Sequence, residues 1–182
     1  MSFHPTTQRL ILREPTLTDT PVFVAILSDY EVAKNLAQVA HPFTADHYQD
    51  AMQFYVAARR NGESYRFAVT RAMDGALIGL CGIDRLAGGI WDFGYWYAKQ
   101  YWGQGYATEA GRPVMRFAFD DLKAETLVAW WHFDNPASGH VLDKLGFGAS
   151  GVEQRNCVAR GAAVASNRAQ LTRAQFARKK AA

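Results

Sequence analysis

The most restrictive feature of this sequence is residues 91–110, where an alternating strand runs into a glycine turn and then a helix. One face of the strand is predicted to carry the aromatic residues Trp91, Phe93, Tyr95 and Tyr97, which alternate with Asp92, Gly94 and Trp96. Gly94 interrupts this strand and indicates either a bulge or the close approach of a ligand. The helix is predicted over residues 108–119, with a kink at Pro113. A strand, a tight turn and a helix in succession predict a layered α/β fold.

The remaining segments agree with that class. Short apolar or β-branched runs predict strands at residues 10–13, 65–70, 77–83 and 126–132, and Asp74-Gly75 predicts the hairpin turn between the second and the third of them. Capping signals predict helices that start near Thr18 and Thr44. A last hairpin is expected from residues 152–158 and 169–173. The expected order is β-α-α-β-β-β-α-β-α-β-β.

Length and composition indicate one domain over residues 1–182, with a core of about residues 8–175. The 20 Lys and Arg residues face 17 Asp and Glu residues, but residues 154–182 hold seven basic and no acidic side chains. We expect a solvated basic tail that ends in Arg178, Lys179 and Lys180. The rest of the chain is not basic, which disfavours a dedicated nucleic-acid binder.

Cysteine content and the termini bear on the compartment. Cys81 and Cys157 lack the spacing of a zinc site and are expected to be free thiols in a reducing cytoplasm. The first residues lack the basic and apolar regions of a secretory signal, and no apolar run approaches the roughly 18 residues of a membrane span. The five histidines have no metal-ligand spacing, so no metal is expected.

The turn at Gly103-Gln104-Gly105 has the chemistry of a phosphate site. Small residues let several backbone N–H groups point to one place, and the start of the following helix adds partial positive charge. The turn lacks the Gly-Lys-Ser/Thr ending of a Walker loop and the third glycine of a dinucleotide fingerprint. A phosphate or pyrophosphate ligand is therefore predicted, of a kind that neither motif describes.

A second segment, residues 135–147, makes the assignment specific. It reads Asn135-Pro136-Ala137-Ser138, which predicts a capped helix, and continues to Lys144-Leu145-Gly146-Phe147. Together with Trp102-Gly103-Gln104-Gly105-Tyr106-Ala107-Thr108-Glu109-Ala110, this pattern resembles the GCN5-related N-acetyltransferase (GNAT) superfamily. The resemblance is strongest to the branch that includes ribosomal-protein N-terminal acetyltransferases, and it extends over roughly residues 8–175.

The resemblance implies a single domain with a mixed, mostly antiparallel twisted sheet of about seven strands and about four flanking helices. A splayed strand pair would form the cleft for acetyl-CoA. The strand end would pair with the pantetheine arm, with Gly94 at a bulge, and the turn would hold the pyrophosphate. The implied cofactor-binding residues are Trp96, Tyr97, Ala98, Trp102, Gly103, Gln104, Gly105, Tyr106, Ala107, Thr108, Asn135 and Ser138.

Two registers of the acetyl-CoA signature fit the turn. The literal one begins at Gln100 and places Gly103 and Gly105 in the small positions. The other begins at Trp102 and places Gly105 and Ala107 there. We prefer the second because it matches the branch pattern, although it puts a tryptophan where the superfamily usually has Arg or Gln.

The reaction requires a proton acceptor, because an amine must lose a proton as it attacks a thioester. Asp92 is the preferred candidate and Glu109 the second, against plain roles as a strand residue and a first-turn carboxylate. Many family members carry an acidic tyrosine in the second-motif helix to protonate the thiolate, but here the position is Leu142. Ser138, with Asn135, is the candidate to replace it.

The preferred function is transfer of acetyl from acetyl-CoA to a protein or peptide N-terminal α-amine by direct attack. The alternatives are acetylation of a small amine (an amino acid, polyamine or drug) and a non-catalytic acyl-CoA sensor, which Leu142 keeps open. His132 lies near the inferred site but is expected to be structural, and Cys157 is expected to be a small buried hydrophobe rather than a nucleophile. The expected partners are acetyl-CoA and an amine, without nucleic acid or membrane, in a possible homodimer.

Overall fold

The computed structural model describes residues 3–181, and side chains as far as residue 178. Seven strands form one sheet: β1 (Leu10–Arg13), β2 (Ser64–Arg71), β3 (Leu77–Arg85), β4 (Ile90–Tyr97), β5 (Thr126–His132), β6 (Gly148–Cys157) and β7 (Ala162–Thr172). The α-helices are α1 (Thr20–Leu27), α2 (Tyr30–Ala33), α3 (Ala45–Arg60), α4 (Tyr106–Arg116), α5 (Pro136–Leu145) and α6 (Arg173–Ala181). Met1, Ser2 and Ala182 lie outside the described residues.

The strand order is β1-β2-β3-β4-β5-β7-β6. Neighbouring strands are antiparallel except β4 and β5, which run parallel in the middle of the sheet. A parallel pair requires a crossover connection, and α4 provides it. The sheet confirms the predicted mixed and mostly antiparallel topology with seven strands.

Alternation along the strands divides the core into two clusters. Phe93 and Tyr97 of β4 pack with α4 and α5, whereas Trp96 packs with the cluster that holds α1 and α3. Since successive strand side chains point to opposite faces, Asp92 and Gly94 lie on the same face as Trp96. This face, which α1, α2 and α3 cover, is called the acceptor face below.

Local signals place the main helices. The Thr44 hydroxyl accepts a hydrogen bond from His47 N at 3.3 Å and caps α3. Asn135 caps α5, which ends at Gly146 with φ of +100°. Gly75, with φ of +69°, forms the predicted turn between β2 and β3.

Several boundaries differ from expectation. The helix predicted over residues 108–119 begins at Tyr106, continues through Pro113 and ends in a wide π-turn at Phe117–Asp121. The last hairpin is longer than predicted, because β6 and β7 pair from Gly148 opposite Gln170 to Cys157 opposite Ala162.

The basic segment is not a tail, since it forms the end of β6, then β7 and α6. Three of its arginines pair with acids: Arg155 with Glu153, Arg160 with Asp134 and Arg173 with Glu125. The expectation of a solvated terminus therefore fails for most of the segment. The side chains of Lys179 and Lys180 are outside the described part.

No helix among residues 3–181 is both long and apolar enough to cross a membrane.

Candidate active site

A gap in the middle of the sheet forms the floor of the site. β4 and β5 pair only as far as Asp92 and Val128. Beyond that point β4 stays with β3 up to the pair Gly79 and Tyr97, and β5 stays with β7 up to the pair His132 and Ser166. The two strands therefore diverge, and the predicted splayed pair is present.

Gly94 does not form the predicted bulge. The register between β3 and β4 is continuous through the pair Gly82 and Gly94. A Cβ atom added at Gly94 would meet nothing within 4 Å. The splay therefore comes from the loss of pairing with β5, and Gly94 leaves open space on the acceptor face.

Backbone hydrogen bonding decides which residues of β4 face the gap. Ala98 N donates to Ile78 O, and Leu86 N donates to Ile90 O, both within the register of β3 and β4. Because paired positions alternate in an antiparallel ladder, even-numbered residues of β4 bond to β3. The backbone N–H groups of Tyr95 and Tyr97 consequently face the gap, whereas those of Trp96 and Ala98 are used by the sheet.

The glycine turn lies at the carboxyl end of β4. Gly103 and Gly105 have φ of +73° and +81°, in the region that other residues rarely adopt, and Gly105 is the N-cap of α4. The N–H groups at a helix start have no intrahelical acceptor. Those of Tyr106, Ala107 and Thr108 are therefore available to an anion.

Arg9 and Glu109 hold the turn. Glu109 accepts hydrogen bonds from Thr7 Oγ1 at 2.6 Å and Arg9 Nε at 2.6 Å, and Arg9 Nη1 donates to Gln104 O at 3.1 Å. Burial opposes ionisation of Glu109, but these hydrogen bonds dominate and lower its pKa. Glu109 is thus a structural carboxylate and a poor proton acceptor, and Arg9, which the sequence did not indicate, supports the turn.

One cavity of about 790 Å³ connects these parts. Among the predicted site residues it brings together Asp92, Trp96, Tyr97, Trp102, Gly103, Gly105, Tyr106, Ala107, Thr108, Asn135 and Ser138. Gln104 and Ala98 do not line it. The Trp102 indole N–H donates to Tyr97 O at 2.7 Å, so this side chain satisfies the last carbonyl group of β4.

Asp92 lies on the acceptor face at the point where β4 and β5 begin to diverge. Burial raises the pKa of Asp92 to about 7, and the charge on Asp84, its partner on β3, adds to the effect. Arg155 and Arg66 act in the opposite direction. A carboxylate with this pKa can exchange a proton near neutral pH.

The first turn of α5 faces the other side of the gap. Asn135 Oδ1 accepts from Ser138 N at 3.4 Å. Tyr95 Oη lies 2.8 Å from Ser138 Oγ and 2.9 Å from Ser138 O. The contact between Tyr95 and Ser138 was not predicted, because alternation placed Tyr95 only among the aromatic core.

His132 is buried, with 3% of its surface exposed, and lines the cavity. Its Nδ1 lies 2.9 Å from Ser166 Oγ, which donates to Val164 O at 3.1 Å, so Nδ1 is the donor. Nε2 is then an acceptor, and it has no hydrogen-bond partner. Burial and the charge on Arg160 lower the pKa of His132, which keeps the ring neutral. The contact between Nδ1 and Ser166 is compatible with the structural role expected for His132.

Other candidates have plain structural roles. Cys157 is 1% exposed, and its Sγ contacts Lys34 O at 3.4 Å and Leu36 O at 3.5 Å. Among residues 3–181, no group of three or more His, Cys, Asp or Glu side chains could hold a metal ion.

Comparisons with known proteins agree with this geometry. An N-acetyltransferase p20 of Bacillus licheniformis, itself uncharacterised, is 29% identical over 149 residues, covering 80% of this chain and 83% of that one. Two solved folds are similar at 17% identity and cover 94% of this chain. The ribosomal-protein-S5-alanine acetyltransferase of Vibrio fischeri has a TM-score of 0.82 with 97% of its chain covered. The spermidine N-acetyltransferase of Vibrio cholerae, crystallised with CoA and spermine, has a TM-score of 0.79 with 99% covered.

The family model for the acetyltransferase (GNAT) domain matches residues 9–148, which include β4, the glycine turn and α5. This match covers the whole of the splayed gap and both motifs. The chain therefore belongs to the GNAT family of acetyltransferases.

Proposed function

We propose that this acetyltransferase transfers the acetyl group of acetyl-CoA to the α-amine at the N-terminus of a protein or peptide, by direct attack of the amine. Its N-acetyltransferase activity and its use of acetyl-CoA follow from the family. The observation that carries the proposal is the single cavity that joins the glycine turn to Asp92 and to an acceptor face with few free carboxylates.

The part of the cavity at the glycine turn and the end of β4, called the cofactor half, would bind acetyl-CoA through backbone groups. The free N–H groups of Tyr106, Ala107 and Thr108 fit the two negative charges of a pyrophosphate. The Cβ of a residue at position 103 would meet no atom within 4 Å, so the space above the turn is open to a ligand. The N–H groups of Tyr95 and Tyr97 would hydrogen-bond the pantetheine arm, and one of them would polarise the thioester carbonyl.

Asp92 would accept the proton of the attacking amine. An α-amine has an ordinary pKa near ~8, so a carboxylate with a pKa of about 7 is well matched to it at neutral pH. The position of Asp92 at the closed end of the gap supports this role, because the strands leave room for a thioester only beyond that point.

The acceptor half of the cavity is largely apolar. Segment 34–43 and helix α3 contribute most of this wall, through Leu36, Val39, Phe43, Met52 and Tyr55. Three carboxylates also line the cavity: Asp50, Asp84 and Asp92. The Asp84 carboxylate accepts hydrogen bonds from Ser64 Oγ at 2.5 Å and from Arg66 Nη2 at 2.9 Å.

A polyamine with several cationic groups would therefore find few free carboxylates. An N-terminus with a neutral first side chain fits this wall better, because its side chain replaces water on apolar surface. Ser138 and Asn135, at the start of α5, would lie beside the sulfur atom of the thioester.

The test is an acceptor panel at equal concentration, with the release of CoA thiol and the mass of the product measured. Peptides with a free, neutral N-terminus should react faster than spermidine, and the same peptides with a formylated N-terminus should not react. The preference should persist at low and high salt, since it rests on apolar fit. Faster acetylation of spermidine at both salt concentrations would move the function to small amines.

A further inference from the structure

We propose that Tyr95, acting through Ser138, stabilises the thiolate that leaves when the acetyl group is transferred. The inference rests on the proposed direct attack but not on the identity of the acceptor. It addresses Leu142, which occupies the helix position where many relatives have an acidic tyrosine. Leu142 is 1% exposed and packs in the core, and its hydrocarbon side chain has no hydrogen-bond donor.

A tyrosine hydroxyl reaches this helix from the sheet instead. Ser138 lies four residues before Leu142, on the same face of α5. Tyr95 projects from β4 on the opposite wall, and its Oη lies within 3 Å of both oxygens of Ser138. All three residues line the cavity. The fold therefore places a tyrosine hydroxyl against Ser138, one helical turn before Leu142.

The directions of the hydrogen bonds define how the pair can act. A carbonyl oxygen only accepts, so Tyr95 Oη donates to Ser138 O, and Ser138 Oγ donates to Tyr95 Oη over the 2.8 Å that separate them. When a negative sulfur forms in the gap, the Ser138 hydroxyl can turn its proton from Tyr95 to the sulfur. Tyr95 can then turn its proton to Ser138 Oγ, which is 2.8 Å away. No heavy atom has to move.

The pair stabilises charge and does not supply the proton. Burial raises the pKa of Tyr95 above its ordinary value near ~10, whereas a thiol has a pKa near ~8.5. Tyr95 is therefore the weaker acid, and transfer of its proton to the thiolate would be uphill. Two hydrogen bonds in a chain can still lower the energy of the anion.

The step balances without a protein acid. The amine nitrogen bonds to the acetyl carbon, and the C–S bond breaks with its electron pair on sulfur. The amine proton goes to Asp92. The thiolate leaves hydrogen-bonded to Ser138 Oγ and takes its proton from solvent after release.

The decisive measurement is the titration of the CoA thiol bound to the full-length enzyme, followed by the ultraviolet absorbance of the thiolate. The wild-type enzyme should lower the pKa of bound CoA relative to free CoA. Tyr95→Phe, which removes only the hydroxyl, should raise it again by about one unit and lower kcat about tenfold. The affinity for acetyl-CoA should change much less, because the interaction forms with the charge.

Two further variants make the result specific. Tyr65→Phe is the matched control: Tyr65 is also a half-buried tyrosine packed on the same core cluster, and it should leave the thiol titration and kcat unchanged. Ser138→Ala should reproduce Tyr95→Phe, and the double variant should be no worse than Ser138→Ala alone.

An unchanged thiol pKa in Tyr95→Phe would overturn the proposal, and so would additive losses in the double variant. If Tyr95→Phe fails to fold, the same titration is carried out on Ser138→Ala. An unchanged thiol pKa in that variant would overturn the proposal, because Tyr95 acts through Ser138. A failure of the peptide acceptors would leave the thiol titration intact, so the two proposals are tested separately.

Discussion

The proton-accepting role of Asp92 leads to the sharpest prediction. Asp92→Asn keeps the size of the side chain and removes its ability to take a proton. If Asp92 is the general base, the rate constant kcat should fall by about 100- to 10,000-fold. Acetyl-CoA binding should be retained, because the glycine turn and the free N–H groups of α4 are unaffected.

The pH profile follows from the pKa of about 7. About one eleventh of the Asp92 side chains are ionised one pH unit below this pKa, and about ten elevenths are ionised one pH unit above it. The wild-type rate should therefore rise about tenfold from about pH 6 to about pH 8. Asp92→Asn should lose this inflection and keep the one near ~8 that belongs to the free acceptor amine. Asp84→Asn should move the inflection to lower pH and Arg155→Ala to higher pH, because these charges raise and lower the pKa of Asp92 respectively.

The free energy of unfolding gives a second readout, because it should fall with rising pH while the rate rises. A carboxyl whose pKa is raised on folding binds more protons in the folded than in the unfolded state, between its ordinary pKa near ~4 and about 7. Its stabilising effect is fully present below ~4 and is lost as the pH rises through about 7. The wild-type free energy of unfolding should therefore fall relative to that of Asp92→Asn by at most about 4 kcal/mol across this window.

The assay is steady-state thiol release across the pH range, with urea denaturation of both proteins at the two ends of it. A wild-type profile without an inflection near 7, or an Asp92→Asn enzyme with full activity, would refute the reasoning. An equal pH dependence of stability in the two proteins would show that Asp92 is not desolvated.

Substitutions at three glycines, with a fourth glycine as a control, give further predictions. Gly105→Val should destabilise the fold by about 1–2 kcal/mol and abolish acetyl-CoA binding measured by calorimetry. Gly75→Val, at a similar positive φ, should cause the same loss of stability and leave binding intact. Retained binding in Gly105→Val would contradict the assignment of the turn to the pyrophosphate. Gly94→Leu should leave thermal stability within about 1 kcal/mol and raise the acceptor KM without affecting acetyl-CoA, and an unchanged KM would place the acceptor elsewhere. Gly139→Ala should cost about 1–3 kcal/mol in urea denaturation, because its Cβ would lie 2.9 Å from Trp131 Nε1; no loss would mean that α5 shifts freely.

The local elements of the cofactor half were largely determined by the sequence alone. Alternating aromatics specified β4, and the capping residues Thr44 and Asn135 specified the starts of α3 and α5. Turns, caps and strand alternation depend on neighbours in the chain, so the sequence could specify them. The two motifs indicated the family, and the resemblance to that family implied the splayed gap. Asp92 was also a candidate, although nothing in the sequence indicated the direction of its pKa shift.

Contacts between distant segments were decided only by the tertiary structure. No local pattern places Tyr95 against Ser138, Arg9 against Glu109 or Arg155 near Asp92. The same limit explains why the bulge expected at Gly94 is absent and why arginines of the basic segment are paired with acids, since strand register and ion pairing depend on partners far along the chain. The alternation of hydrogen bonds in the sheet, a property of paired strands, is what turned the Tyr95 and Tyr97 amides toward the gap.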